Sequence, residues 1–338
     1  MLLVVSGRAA LAAATASLAV AVAACHQPLP VPRIEPSTDR WQQPYAGIPG
    51  MRIHAFRTGD VNSVEGAVWA GGSWTARIDM GAWAFVIEHP SRGLVVFDTG
   101  MAERAHEEPE RYVGWLGARL RMLDVPERAG LSTQMRDAGL DPGNVGTVVL
   151  SHLHFDHTGD IDAFTNARVV VSRAEKEWAE AGVRATDFVD AEVLDGLARW
   201  SVVDYGTEQS LGTFIGAHDL FGDGSIFLID LSGHTPGSQG MLVRTPEAPV
   251  LLTGDAAWTE KSWRWAAQPI SAYDMGMWWE QIWRIKKFSL LEPRLIVVPG
   301  HDDKAVAAIG IASFVTHEIE QVPPKNSAAA AARGATVR

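Results

Sequence analysis

Residues 151–160 read SHLHFDHTGD, which places three histidines and an aspartate within six positions, His152 to His157. Imidazole nitrogens and carboxylate oxygens are common ligands of first-row divalent metals, and one such ion takes about four or five ligands. In an extended segment alternate residues share a side, so His152 and His154 can grip one ion while Leu153 and Phe155 face the interior. A turn through Asp156 and His157 then offers a carboxylate and an imidazole to a neighbouring position. One stretch therefore seeds two sites and completes neither.

The missing ligands must come from elsewhere in the chain. Three candidates stand at the ends of apolar runs: His234 in SGHTPGSQG, Asp255 in LTGDAAW and His301 in VPGHDD. Asp98 ends another, in VVFDTG. The runs read as strands, beginning with a hairpin, WAFVIEHPSRGLVVFDTG, that turns at Pro90 to Gly93 and continuing through VGTVVLS, ARVVVS, SIFLIDL, APVLL and PRLIVV. Strands that each end in a ligand can bring distant residues to one edge of a sheet. Helical patterns over about 103–122, 172–182, 186–200 and 275–290 predict helices that cover the sheets. His54, His89, His106, His218 and His317 lack such a setting and are expected to be structural or surface residues. Nucleophilic catalysis has little support, because Ser238 in TPGSQG lacks the first glycine of an elbow and the only cysteine, Cys25, lies in the leader.

The order and spacing of these motifs resemble the metallo-β-lactamase superfamily in its dinuclear hydrolase branch, and most closely the N-acyl homoserine lactonase-like enzymes. The resemblance implies an α/β fold, a four-layer αββα sandwich forming a single catalytic domain. It implies two divalent metal ions, zinc first, with Mn, Fe or Co suited to the same donors. His152, His154 and His234 would bind the first ion, Asp156, His157 and His301 the second, and Asp255 would bridge them. Asp98 would support the ligand histidines, and Asp255 and Asp156 are the implied catalytic carboxylates. The implied reaction is attack of a metal-held hydroxide on a carbonyl, with Asp255 shuttling the proton. A non-catalytic exported metal-binding protein with the same fold is the alternative of another class. Its mark would be lost ligands, and none is lost.

For the substrate, the resemblance points to a small neutral ester or lactone. Asp255 stands where β-lactamases of the superfamily have cysteine or serine. Glyoxalase II-like and RNA-processing members carry the aspartate but work inside cells. An organophosphate triester on the same metals is the alternative. Two positions depart from the lactonase pattern: Trp258 replaces a tyrosine three residues after the bridging aspartate, and Ser238 replaces a histidine. Trp258, Trp263 and Trp265 fall in an irregular segment beside Asp255 and are expected to wall a pocket for an apolar group. Met275, Trp279, Ile282 and Trp283 recur at helical spacing and read as core.

The whole chain sets the frame. Its 338 residues are 47% hydrophobic, enough for a well-buried core, and a net charge of −11 without a basic run argues against nucleic acid. Residues 1–25 read as a secretory signal, whose ending VAAC resembles the lipobox of bacterial lipoproteins, with Cys25 as the lipid-bearing residue. An ordinary signal cleaved after Ala21-Val22-Ala23 is the alternative. Export is expected either way, to the periplasm or outer membrane, with the membrane met only through the N-terminal anchor. Residues 26–45 are proline-rich and predict a tether, 46–320 the catalytic domain, and 321–338 a flexible tail.

Overall fold

The computed structural model describes residues 29–35, 40–41, 44–182 and 200–309. The β-branched runs pair into two sheets. The first contains β1 (Arg52–Val64), β2 (Arg77–His89), β3 (Gly93–Phe97), β4 (Leu123–Asp124), β5 (Val145–Val149), β6 (Arg168–Ser172) and β7 (Ser201–Val203), in the order β4-β1-β2-β3-β5-β6-β7. The second contains β8 (Gln209–Leu211), β9 (Phe214–Asp219), β10 (Ile226–Asp230), β11 (Gln239–Arg244), β12 (Pro249–Leu252) and β13 (Ile296–Val298), in the order β13-β12-β11-β10-β9-β8. The predicted hairpin forms, with β2 and β3 antiparallel and Phe85 opposite Phe97. From β3 onward the first sheet is parallel.

Side chains alternate across these strands and both faces are buried, so each sheet has an inner and an outer core. Phe85, Ile87, Val95 and Phe97 of the first sheet meet Leu228, Met241, Val243 and Leu252 of the second between the sheets. Their neighbours Ala84, Val86 and Val96 face outward, with Leu131 and Met135 of α2 (Leu131–Asp137) and Ala179 of α4 (Arg173–Glu180) in the same cluster. On the other outer face Phe227, Ile229, Leu242 and Leu251 pack with Trp278, Ile282, Ile285 and Phe288 of α6 (Met275–Leu291). Helix, sheet, sheet and helix make the four layers the resemblance implied.

Four further helices are α1 (Pro109–Arg119), α3 (Phe155–Thr158), α5 (Glu260–Arg264) and α7 (Asp303–Ala308), and a single helical turn at Glu65–Val68 follows β1. The helix expected over 103–122 is interrupted, with a 3-10 turn at Glu103–His106 and a kink in α1 where Gly114 takes φ 67°. The helix expected over 186–200 falls outside the described residues but for Trp200, as do the leader through Cys25, the tail from 321 and His317.

The proposed tether needs correction where it is described. Trp41 is buried edge-on against Phe288 at 5.2 Å, with its indole N–H donating to Glu292, and the Tyr45 hydroxyl donates to the Thr245 carbonyl at 2.5 Å. Farther upstream the Trp279 indole donates to the Pro30 carbonyl. Aromatic area drives these residues onto α6, so the packed domain reaches back to Trp41 rather than starting at residue 46.

Candidate metal centre

The strand ends deliver the predicted residues to one edge of the sandwich. His152 and His154 follow β5, His234 follows β10, Asp255 follows β12 and His301 follows β13. Leu153 is fully buried in the outer core of the first sheet, which aims the histidines on either side of it away from that core. Beyond His154 the chain turns into α3, placing Asp156 and His157 on the next position. Two donor groups result, one of His152, His154, His234 and Asp255, the other of Asp156, His157 and His301, with the donor atoms of each group all within 4.8 Å of one another.

The surroundings fix which ring nitrogen faces the centre. His301 Nδ1 donates to the Gly81 carbonyl at 2.9 Å. His157 Nδ1 donates to Asp98 Oδ2 at 2.8 Å, and Asp98 also accepts from the Ser151 amide and hydroxyl. The Ser151 hydroxyl donates to Asp98, so its oxygen accepts a hydrogen bond from His152 Nδ1 at 3.0 Å. Each of these rings, when neutral, thereby turns the lone pair of Nε2 toward the centre. Asp98 holds this junction with a left-handed backbone, φ 58°, a conformation that its dense hydrogen bonding stabilises.

Buried polar atoms almost always find partners. His152 Nε2, His157 Nε2 and Asp255 Oδ1 are buried and make no hydrogen bond, although Asp255 Oδ1 approaches His157 Nε2 to 3.2 Å and His301 Nε2 to 3.1 Å. Those approaches carry charge attraction without completing the site. Unpartnered nitrogens and a carboxylate oxygen converging in a buried space are what a divalent cation satisfies, and the donor set fits zinc-like metals.

Electrostatics divide the groups. Burial and the neighbouring His157 and His154 hold His152 well below the usual histidine range, and burial brings His234 down to about 3. For His157 burial opposes protonation, but Asp255, Asp156 and Asp98 together outweigh it and hold the ring well above its ordinary value. His301 is raised for the same reason, by Asp255 and Asp156 against burial. Burial favours neutral Asp255, yet His301 and His157 override it and keep the carboxyl well below the carboxylate range.

The centre floors a cavity of about 390 Å³. Its wall is mainly apolar, with Val61 and Met80 paired across β1 and β2, Val113 of α1 and Met122 shortly after it, and Phe155 within the motif. Trp258 lines it as expected, and its indole N–H donates to Asp255 Oδ2 at 2.9 Å. Trp263 and Trp265 do not. The turn of α5 sends Trp263 into a separate groove with Trp283, while Trp265 is 74% exposed. Trp178 and Tyr273 line the cavity without having been singled out in the sequence. Trp178 could have been found from its place on an amphipathic helix, whereas Tyr273 is brought to the site by a tertiary contact, the hydrogen bond its backbone N–H donates to the His234 carbonyl.

Ser238 is buried and accepts from the Thr235 amide, stabilising the His234 loop from within. The other histidines are structural where described: His54 pairs with Glu88, His89 with Ser225, His106 with the Val125 carbonyl and His218 with Glu208.

Two glycines permit close approaches. A Cβ on Gly300 would lie 2.5 Å from Asp255 Oδ1, and one on Gly233, at φ 142°, would lie 2.4 Å from the backbone of Trp278. Gly233→Ala is therefore expected to prise the His234 loop from α6 and to cost about 2–5 kcal/mol. A thermal melt should show a midpoint lowered by roughly 5–15 °C.

Residues 77–301 match the Metallo-beta-lactamase superfamily, and the chain belongs to it. It is a metal-dependent hydrolase. The sequence is 33% identical to a protein of Azorhizobium caulinodans named N-acyl homoserine lactonase AttM, over 65% of this chain and 81% of that one. It is 28% identical to the N-acyl homoserine lactonase of a Bacillus species, over 67% of this chain and 82% of that one. The fold is similar to the solved structure of an N-acyl homoserine lactone hydrolase with the product N-hexanoyl-L-homoserine at its catalytic metal centre. That likeness has a TM-score of 0.64 at 22% identity, covering 78% of this chain and 96% of that one.

Proposed function

We propose that this hydrolase opens a neutral lactone with an apolar acyl chain, of the N-acyl homoserine lactone kind, at a pair of zinc ions. The observation that carries the reading is the split of Asp255. Its Oδ1 faces His157 and His301 at 3.2 and 3.1 Å, and its Oδ2 faces His234 and His152 at 3.4 and 3.9 Å. A carboxylate so placed is shared between two positions, with His152, His154 and His234 holding one ion and Asp156, His157 and His301 the other. Bound there, the ions supply Lewis acidity and a water acidic enough to attack at neutral pH.

The chain's own residues do the rest. Trp258 holds Asp255 through one hydrogen bond to Oδ2, which fixes the carboxylate between the two donor groups, where it would carry a proton from the nucleophile to the leaving alkoxide. Asp156, at the other edge of the floor, adds negative charge that keeps His157 and His301 oriented inward. The wall excludes water from an acyl chain, and among the described residues no lysine or arginine lines the cavity, which suits a neutral substrate. The names of the relatives support the lactone ring as the electrophile.

The test is a panel on metal-replete protein: homoserine lactones of increasing acyl length, aryl esters and a paraoxon-like triester. The lactones should give the highest kcat/KM, rising with chain length. A preference for the triester would replace the reading. Cys25, read from the sequence as lipid-bearing, is tested by fatty-acid labelling that Cys25→Ser should abolish.

Trp258 has a specific expectation. Its single N–H is spent on Asp255, so it cannot also donate to a substrate carbonyl. Trp258→Phe keeps a ring against Met80 and Trp69 but frees Asp255 Oδ2. We expect kcat to fall about tenfold with KM nearly unchanged, the size of one lost hydrogen bond. A selective rise in KM would instead make the indole a substrate donor.

A further inference from the structure

Glu175 is a carboxylate with no place in the proposed chemistry. It lies on α4 with 0% of its surface exposed, beneath the centre rather than in it. Three neutral donors reach it. The Leu153 amide donates to Oε1 at 3.1 Å, and the Thr235 hydroxyl and Gly237 amide donate to Oε2 at 2.7 and 3.0 Å. Leu153 sits between His152 and His154, and Thr235 directly follows His234. One side chain thus spans the two segments that supply the first histidine trio, which are about 80 residues apart in sequence.

The surrounding contacts reinforce the span. Ser172 Oγ accepts from the Glu175 amide and donates to the Gly237 carbonyl at 2.7 Å, a second tie between α4 and the His234 loop. The packing there has no slack, since a Cβ on Gly237 would lie 2.1 Å from Ser172 Oγ. The second donor group is held differently, through Asp98 on His157 and the Gly81 carbonyl on His301.

We propose that Glu175 is a positioning residue that locks the His152–His154 segment to the His234 loop and so keeps the first trio at the spacing that retains an ion. The proposal rests on the metal reading above and assigns Glu175 no contact with substrate. Burying a carboxylate is costly, and three donors stabilise it where a neutral amide would fail. With glutamine, an amide group on the Oε1 side would face the Leu153 N–H, and one on the Oε2 side would face the Gly237 N–H. In either orientation one backbone donor is opposed by another donor.

The experiment is a cobalt(II) titration of the full chain, followed by its absorption bands, with total metal checked by elemental analysis. Wild type should fill in two steps, and the step lost in His234→Ala identifies the first trio. In Glu175→Gln that step should weaken ten- to a hundredfold, as second-layer changes around metal ligands do, while the other keeps its wild-type affinity. A merely structural residue would shift both steps or neither. Thr235→Val, which removes one donor, should weaken the same step by a smaller factor, and it decides the matter if the glutamine variant does not fold. A folded Glu175→Gln, or failing that Thr235→Val, with both steps at wild-type affinity overturns the proposal. Wild type that binds no cobalt would overturn the metal reading beneath it, a different result from two steps that the variant preserves.

Discussion

Asp255→Ala is expected to lower kcat/KM on a lactone by at least about 1,000-fold, the scale of losing a transition-state stabiliser together with a proton carrier. It should also bring bound metal below two ions per chain. The reason is that the two oxygens of Asp255 face both donor groups, Oδ1 toward His157 and Oδ2 toward His234. Its removal takes a facing carboxylate oxygen from each. Asp255→Asn separates the two roles. It keeps one oxygen acceptor and the volume but cannot carry the negative charge, so it should retain more metal than alanine while remaining nearly as inactive. Rates on metal-replete samples with elemental analysis of the same preparations give the comparison. Turnover near the wild-type value in Asp255→Ala would remove this carboxylate from the mechanism.

The ligands were legible because their chemistry is unusual and their positions are regular: an imidazole or carboxylate directly after a β-branched run has few structural uses. Their surroundings were harder to read. Val61 and Met80 are ordinary apolar members of an alternating hairpin, and the extension of β1 and β2 past the end of β3 puts that pair over the centre. Trp258, Trp263 and Trp265 look alike in sequence, yet the capping box of Thr259 and Ser262 starts a helix between them and turns the last two away. Glu175 stands three residues after the N-cap Ser172, where a capping glutamate is usual. Its side chain instead turns inward to meet Leu153, Thr235 and Gly237, a choice set by tertiary donors that local sequence does not display. Trp41 shows the same limit from the other side. A proline-rich run without periodicity reads as tether, and a single large aromatic in it fills a gap on α6.

Acidification is expected to strip the second ion before the first. Metal and protons compete for the same nitrogens, and the ligands must be neutral to bind. His157 and His301 have raised values, so in metal-free protein they still hold protons above the ordinary histidine range. Metal uptake must displace those protons, and affinity at Asp156, His157 and His301 therefore falls as pH drops through the raised values. His152 and His234 have lowered values and are already neutral near pH 7, so these two donors of the first group carry little proton cost until much lower pH. The sign follows for calorimetry. Near neutral pH, zinc binding to the second group should release between about one and two protons, read from the dependence of the heat on buffer ionisation, while binding to the first releases few. On the two-ion reading proposed above, activity should then fall with pH alongside the loss of the second ion and return when zinc is restored at higher pH. Simultaneous loss of both ions on acid titration, without the early step, would show that the two groups do not differ in this way.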